Sequence, residues 1–138
     1  MGIGATHIDH IVIGSNDSAA TAKLFSETYG IEIKRVMSRP GTGAHMEFAK
    51  LQEVVLEFAG PGTPAEGEEP RAALRGFVFA VDDIDAAVAA LRAHGCTVEE
   101  PHAAVQPGAK LAGIKDGTHG VPLAIIQYGA LPIEDPKA

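Results

Sequence analysis

Hydrophobic and polar positions alternate, change to helical spacing and return to alternation, and the chain does this twice. From His7 to Gly14 the β-branched residues Ile8, Ile11, Val12 and Ile13 read as a strand. Ser15, Asn16 or Asp17 is placed to cap a helix in which Ala19, Ala22, Phe25 and Tyr29 recur at helical spacing, and Gly30 supplies its left-handed stop. Ile31 to Val36 resumes as a strand closed by Arg39-Pro40-Gly41. Ala44 to Ala49 and Glu53 to Phe58 follow as two short strands joined by a tight connection. The second pass begins with a strand from Arg75 to Val81. Asp82 or Asp83 caps a helix to about His94, Gly95 stops it, and Thr97 to Glu100 starts a strand. Ala109 to Lys115 and Val121 to Tyr128 complete the set around the turn Asp116-Gly117-Thr118-His119-Gly120.

The expected organisation is one domain of class α+β with two tandem βαβββ modules, about 6–59 and about 74–129. A proline-, glycine- and glutamate-rich linker, 60–73, separates them, and 130–138 is a loose tail. A chain of 138 residues can bury one core, and neither module is expected to be stable alone. Laying one copy on the other shows where their chemistry differs. His10 falls on Gly76 and Glu57 falls on Ala124, so the first copy keeps ionisable groups that the second lacks.

Three stretches carry a specific likeness: Ile8-Asp9-His10-Ile11-Val12-Ile13, Val54-Val55-Leu56-Glu57-Phe58, and Phe77-Val78-Phe79-Ala80-Val81-Asp82-Asp83-Ile84-Asp85. With the duplicated βαβββ order, they make residues 7 to 129 resemble the vicinal oxygen chelate superfamily of glyoxalase I, extradiol dioxygenases, methylmalonyl-CoA epimerase, fosfomycin-resistance enzymes and bleomycin-resistance proteins. The resemblance implies paired half-barrels enclosing a cleft lined by one face of the sheet. By the same resemblance His10 and Glu57 match the two metal-ligand positions of the first module. Gly76 and Ala124 occupy the two of the second and can ligate nothing.

Strand parity sorts cleft from core. In Ala44-His45-Met46-Glu47-Phe48 the apolar positions 44, 46 and 48 are expected to face the helix, leaving His45 and Glu47 opposite. In the next strand 54, 56 and 58 face the helix and leave Val55 and Glu57 opposite. A three-residue connection, Lys50-Leu51-Gln52, would set Met46 across from Leu56 and His45 across from Glu57. His10, His45, Glu47 and Glu57 would then form one polar cluster, with cross-strand neighbours roughly 5 Å apart at Cβ. Glu57, Glu47 and His45 are the catalytic candidates. A divalent metal (Zn, Ni, Mn or Fe) is the candidate cofactor, held by His10 and Glu57 with His45 as a further ligand. Val55, Gly76, Val78, Ala80, Ala124 and Ile126 are expected to line a mostly apolar substrate pocket. His7, His94 and His102 are expected at the surface, and His119 in a turn is a lesser ligand candidate.

Composition narrows the function classes. A net charge of −7 without a Lys/Arg cluster argues against nucleic acid, and the chain has no apolar run long enough for a membrane span. Met1 to His7 lacks the character of a secretory signal, so a cytoplasmic location is expected. The single Cys96 excludes an internal disulfide and reads as packing. A small-molecule enzyme, an isomerase or lyase with a Glu base acting next to a carbonyl on a hydrophobic substrate, is the favoured reading. The alternatives are a metal-free drug- or metabolite-sequestering protein and, more weakly, a dioxygenase. Unpaired half-barrel edges make a homodimer the expected assembly.

Overall fold

The computed structural model describes residues 2–39 and 41–132. Two compact units are resolved in it: one runs from His10 to Gly76, and the other comprises the residues up to Asp9 together with those from Phe77 onward. The limits of the first of these units are thus His10 and Gly76.

The first module consists of β1 (Ala5–Ser15), α1 (Ser18–Tyr29), β2 (Ile33–Arg39), β3 (Ala44–Leu51) and β4 (Val54–Pro61). Asp17 is the residue that caps α1, its carboxylate accepting the Ala20 N–H at 3.1 Å. Gly30, at φ 69°, ends the helix in the left-handed region. The strand order is β2-β3-β4-β1, antiparallel except for the parallel pair β1–β4. Ile11 and Ile13 lie beside Leu56 and Phe58 in register, and these four pack with Ala22 and Phe25 of α1 and with Ala49. Phe58 is fully buried and meets Phe25 edge-on, ring centroids 5.1 Å apart.

The second module repeats the pattern with β5 (Ala72–Val81), α2 (Ile84–Ala93), β6 (Thr97–Val98), β7 (His102–Ala103), β8 (Lys110–Asp116) and β9 (Leu123–Gln127). Asp83 caps α2, accepting the Ala86 N–H at 3.0 Å, and Gly95 follows at φ 89°. The strand expected from Thr97 is cut to two residues. Chain through Glu100 and Pro101 leaves the ladder before His102 and Ala103 pair again with β8. Val81, Ile84, Ala87, Val88, Val98, Ala112, Ile114 and Ile125 form the core under α2, with Cys96 packed at its margin. Both modules are thus the βαβββ arrangement of the α+β class expected from the sequence.

Parallel pairing shows how closely the copies correspond. Val12 is in register with Glu57 in β1–β4, and Val78 is in register with Ala124 in β5–β9, the same two pairs that the sequence overlay matches. The linker is shorter than expected, because β4 extends to Pro61 and β5 begins at Ala72. Part of it is held to the end of β1: Asn16 accepts the Arg71 N–H at 2.7 Å and donates to Glu68 and to the Glu69 carbonyl, both at 3.0 Å. Of the expected loose tail, 133–138 lies outside the described residues, while the Leu131 N–H donates to the Gly108 carbonyl at 3.1 Å.

The β3–β4 register differs from expectation. The connection is the two-residue turn Gln52-Glu53, with Gln52 at φ 55°, and it places Leu51 across from Val54. Met46 therefore faces Ala59, Glu47 faces Phe58, Phe48 faces Glu57 and His45 faces Gly60. Parity arguments assume that the apolar set turns to the helix. Here both faces of β3 are largely covered, so Ala49 fills the narrow space beside Leu56 under α1, and Met46 and Phe48 cover the other face.

Candidate functional site

Register alone gathers one set of side chains on the face of the first sheet that turns away from α1. His10 and Val12 of β1 lie beside Val55 and Glu57 of β4, and Phe48 of β3 stands across from Glu57. Arg35 of β2 lies over the Phe48 ring at 5.6 Å. His10 is only 3% exposed and Phe48 7%. Among these apolar neighbours burial disfavours the charged carboxylate, so the Glu57 pKa is raised; the nearby His10 pulls it partly back. A carboxylate shifted in this direction holds a proton more readily than one in water.

His45 and Glu47 do not join that set. They lie on the helix-side face of β3, where the His45 Nε2 and Glu47 Oε2 atoms are 2.7 Å apart and Ser38 Oγ is 3.0 Å from His45 Nδ1. The expected cluster of four is therefore two pairs on opposite faces of one sheet. Polar side chains are tolerated on the helix side because each has a partner and because they sit at the start of α1. There the fully buried Ser18 donates to the His45 carbonyl at 2.8 Å and to the Pro61 carbonyl at 3.1 Å.

Val78, Ala80 and Ile126 are buried with Ala109 in a separate apolar cluster of the second unit, and Ala124 and Leu111 pack against it. Gly76 is buried and Val55 half-buried. His7, His94, His102 and His119 are all exposed. His102 donates from Nε2 to the Glu99 carboxylate at 2.9 Å; this bond raises the imidazole pKa and, from the other side, lowers that of Glu99.

Two features escaped the sequence reading. Asp9 is buried and accepts a hydrogen bond from the Tyr128 hydroxyl at 2.8 Å; burial first, and then that bond, push the phenol pKa far up. Only the long separation in sequence hid this pair. The second is a cavity of about 400 Å³ at the end of β1, lined by Gly14, Ser15, Asn16, Ala59 and the arginines Arg71 and Arg75. Its signal was present as two arginines in an otherwise acidic region.

A metal centre is tested by its donors. A catalytic metal of this type takes at least three protein ligands. Among the described residues no three His, Cys, Asp or Glu side chains gather to share an ion, and His45, the expected third donor, belongs to the opposite face from His10 and Glu57. The residues present do not fit the group.

Comparisons place the chain among known proteins. The family model described as the Glyoxalase/Bleomycin resistance protein/Dioxygenase superfamily matches residues 7–121. The Escherichia coli (strain K12) uncharacterized protein YaeR is 31% identical over 100 residues, covering 70% of this chain and 78% of that protein. Among solved structures, a Streptomyces coelicolor methylmalonyl-CoA epimerase in complex with 2-nitronate-propionyl-CoA superposes with a TM-score of 0.74 at 24% identity, covering 92% of this chain and 100% of that one. A methylmalonyl-CoA epimerase from Mycobacterium tuberculosis superposes with a TM-score of 0.72 at 15% identity over 90% and 89% of the two chains. At these identities the structural matches establish the fold. With the family match spanning most of its length, the chain belongs to the Glyoxalase/Bleomycin resistance protein/Dioxygenase superfamily, whose fold is that of the vicinal oxygen chelate proteins.

Proposed function

We propose that the protein is an isomerase or lyase in which Glu57 removes a proton from a carbon next to a carbonyl. The observation that carries this reading is the Glu57 carboxylate, raised in pKa by burial on an apolar sheet face beside His10. A base of this kind takes the carbon-bound proton and leaves the electron pair on the enolate; protonation of that carbon from its opposite face by water gives the epimer, and Glu57 releases the first proton to solvent. His10 positions and stabilises the ionised carboxylate. Val12, Val55 and Phe48 exclude water from its surroundings. Glu47 and His45, bonded to each other on the other face, brace the first half of β3 instead of touching substrate.

The step needs a base and a polarised carbonyl. Structural neighbours that are methylmalonyl-CoA epimerases make an acyl thioester the first probe to use. Methylmalonyl-CoA is incubated with the protein in D2O, and loss of its C2 proton is followed by NMR. Exchange catalysed by the wild type and slowed about 10²- to 10⁴-fold in Glu57→Gln supports the reading. Exchange that survives Glu57→Gln unchanged overturns it. The two-donor set also suits a metal-free sequestering protein, for which the same spectra would show stoichiometric binding and an unexchanged ligand.

A further inference from the structure

The cavity at the end of β1 carries chemistry of its own. Gly14 and Ala59 are in register and form the next pair along the same face after Val12 and Glu57. Residues two apart on a strand are about 6.5 Å apart, so the strand positions that line the cavity begin about that far along the same face from Glu57. Arg75 reaches it because position 14 is glycine: a Cβ there would lie 2.4 Å from Arg75 Cγ and 2.8 Å from its Nε. The Arg75 side chain is thus laid across β1, over the cavity, in the space a larger residue would take. Its guanidinium has no hydrogen bond or ion pair among the described residues. Arg71 is differently placed, with Nη1 committed to Glu68 at 3.2 Å and its N–H to Asn16. One guanidinium is neutralised at the rim and the other is open.

We propose that this cavity is a subsite for an oxyanion, a carboxylate or a phosphate, borne by the substrate a few atoms from the carbon at which Glu57 acts. A planar guanidinium binds either group through paired charge-assisted hydrogen bonds. In a chain of net charge −7, the Arg75 guanidinium is a cationic group with no carboxylate bound to it among the described residues, at a cavity of about 400 Å³. The volume holds such a group with its short skeleton. This inference rests on the Glu57 reading for the position of the reacting carbon, but the anion site stands or falls by its own measurement.

Inorganic phosphate and malonate are titrated separately into the ¹⁵N-labelled full chain, and amide shifts of Gly14, Ser15, Asn16 and Ala59 are followed. Saturable shifts at these residues are expected with at least one anion, and the tighter of the two identifies the source. Arg75→Gln weakens binding about tenfold or more, and Arg71→Gln weakens it less. Gly14→Ala, which displaces the Arg75 side chain, follows Arg75→Gln. Glu57→Gln binds as tightly as wild type or more tightly, since a neighbouring negative charge is removed. Absence of saturable shifts with both anions, or equal binding by wild type and Arg75→Gln, overturns the proposal. Arg75 is exposed, so its substitution leaves the fold intact, as an unchanged amide spectrum verifies. Anion binding without proton exchange would reject the Glu57 reading alone.

Discussion

A carboxylate flanked by Val12, Val55 and Phe48 is harder to ionise than one in water, and this governs both rate and stability at Glu57. Because the folded pKa lies above the unfolded one, the stability tied to this group is fully present below the unfolded pKa and is lost as pH rises through the folded value. Glu57→Gln should therefore gain stability relative to wild type between acid and neutral pH, read by urea unfolding at several pH values. Proton exchange should rise with pH along a limb above the ordinary carboxylate range, and the limb should vanish in Glu57→Gln. Ser18 makes a different single-residue claim. Its hydroxyl is fully buried between the His45 and Pro61 carbonyls, so Ser18→Ala should cost about 1–3 kcal/mol in the same unfolding assay.

At the scale of elements, β4 ends where it must approach β1 closely. A Cβ on Gly60, at φ 152°, would sit 1.8 Å from the Ser15 carbonyl oxygen, so only glycine fits. Gly60→Ala should destabilise by more than about 3 kcal/mol or prevent folding, measured by thermal unfolding against the conservative control Ala59→Gly. Helix limits were legible in the sequence because caps are local chemistry: Asp17, Gly30, Asp83 and Gly95 each act on backbone within a few residues. Strand existence was legible from alternation, and so was the parity of β1 and β4, whose apolar residues Ile11, Ile13, Leu56 and Phe58 meet the helix. The facing of β3 was not. Alternation identifies a core face only when the other face is wet, and Met46 and Phe48 cover a face that is not. A turn one residue shorter than expected then moved His45 and Glu47 away from Glu57.

Across the whole molecule, duplication explains what one module keeps and the other lacks. Equivalent parallel pairs, Val12 with Glu57 and Val78 with Ala124, hold a carboxylate in one copy and a methyl group in the other. Sequence overlay made that asymmetry legible without coordinates. It could not reveal the Asp9–Tyr128 bond, which joins residues far apart in sequence with no motif between them, nor that Arg75 lies across Gly14. The account turns on Glu57 being a half-buried carboxylate that senses His10, and a ¹³C NMR titration of its carboxyl group tests this directly. The wild type should titrate above the ordinary carboxylate range, and His10→Ala should titrate higher still, because the imidazole that favours the ionised form is gone. A Glu57 that titrates like a carboxylate in water, and does not move in His10→Ala, would contradict it.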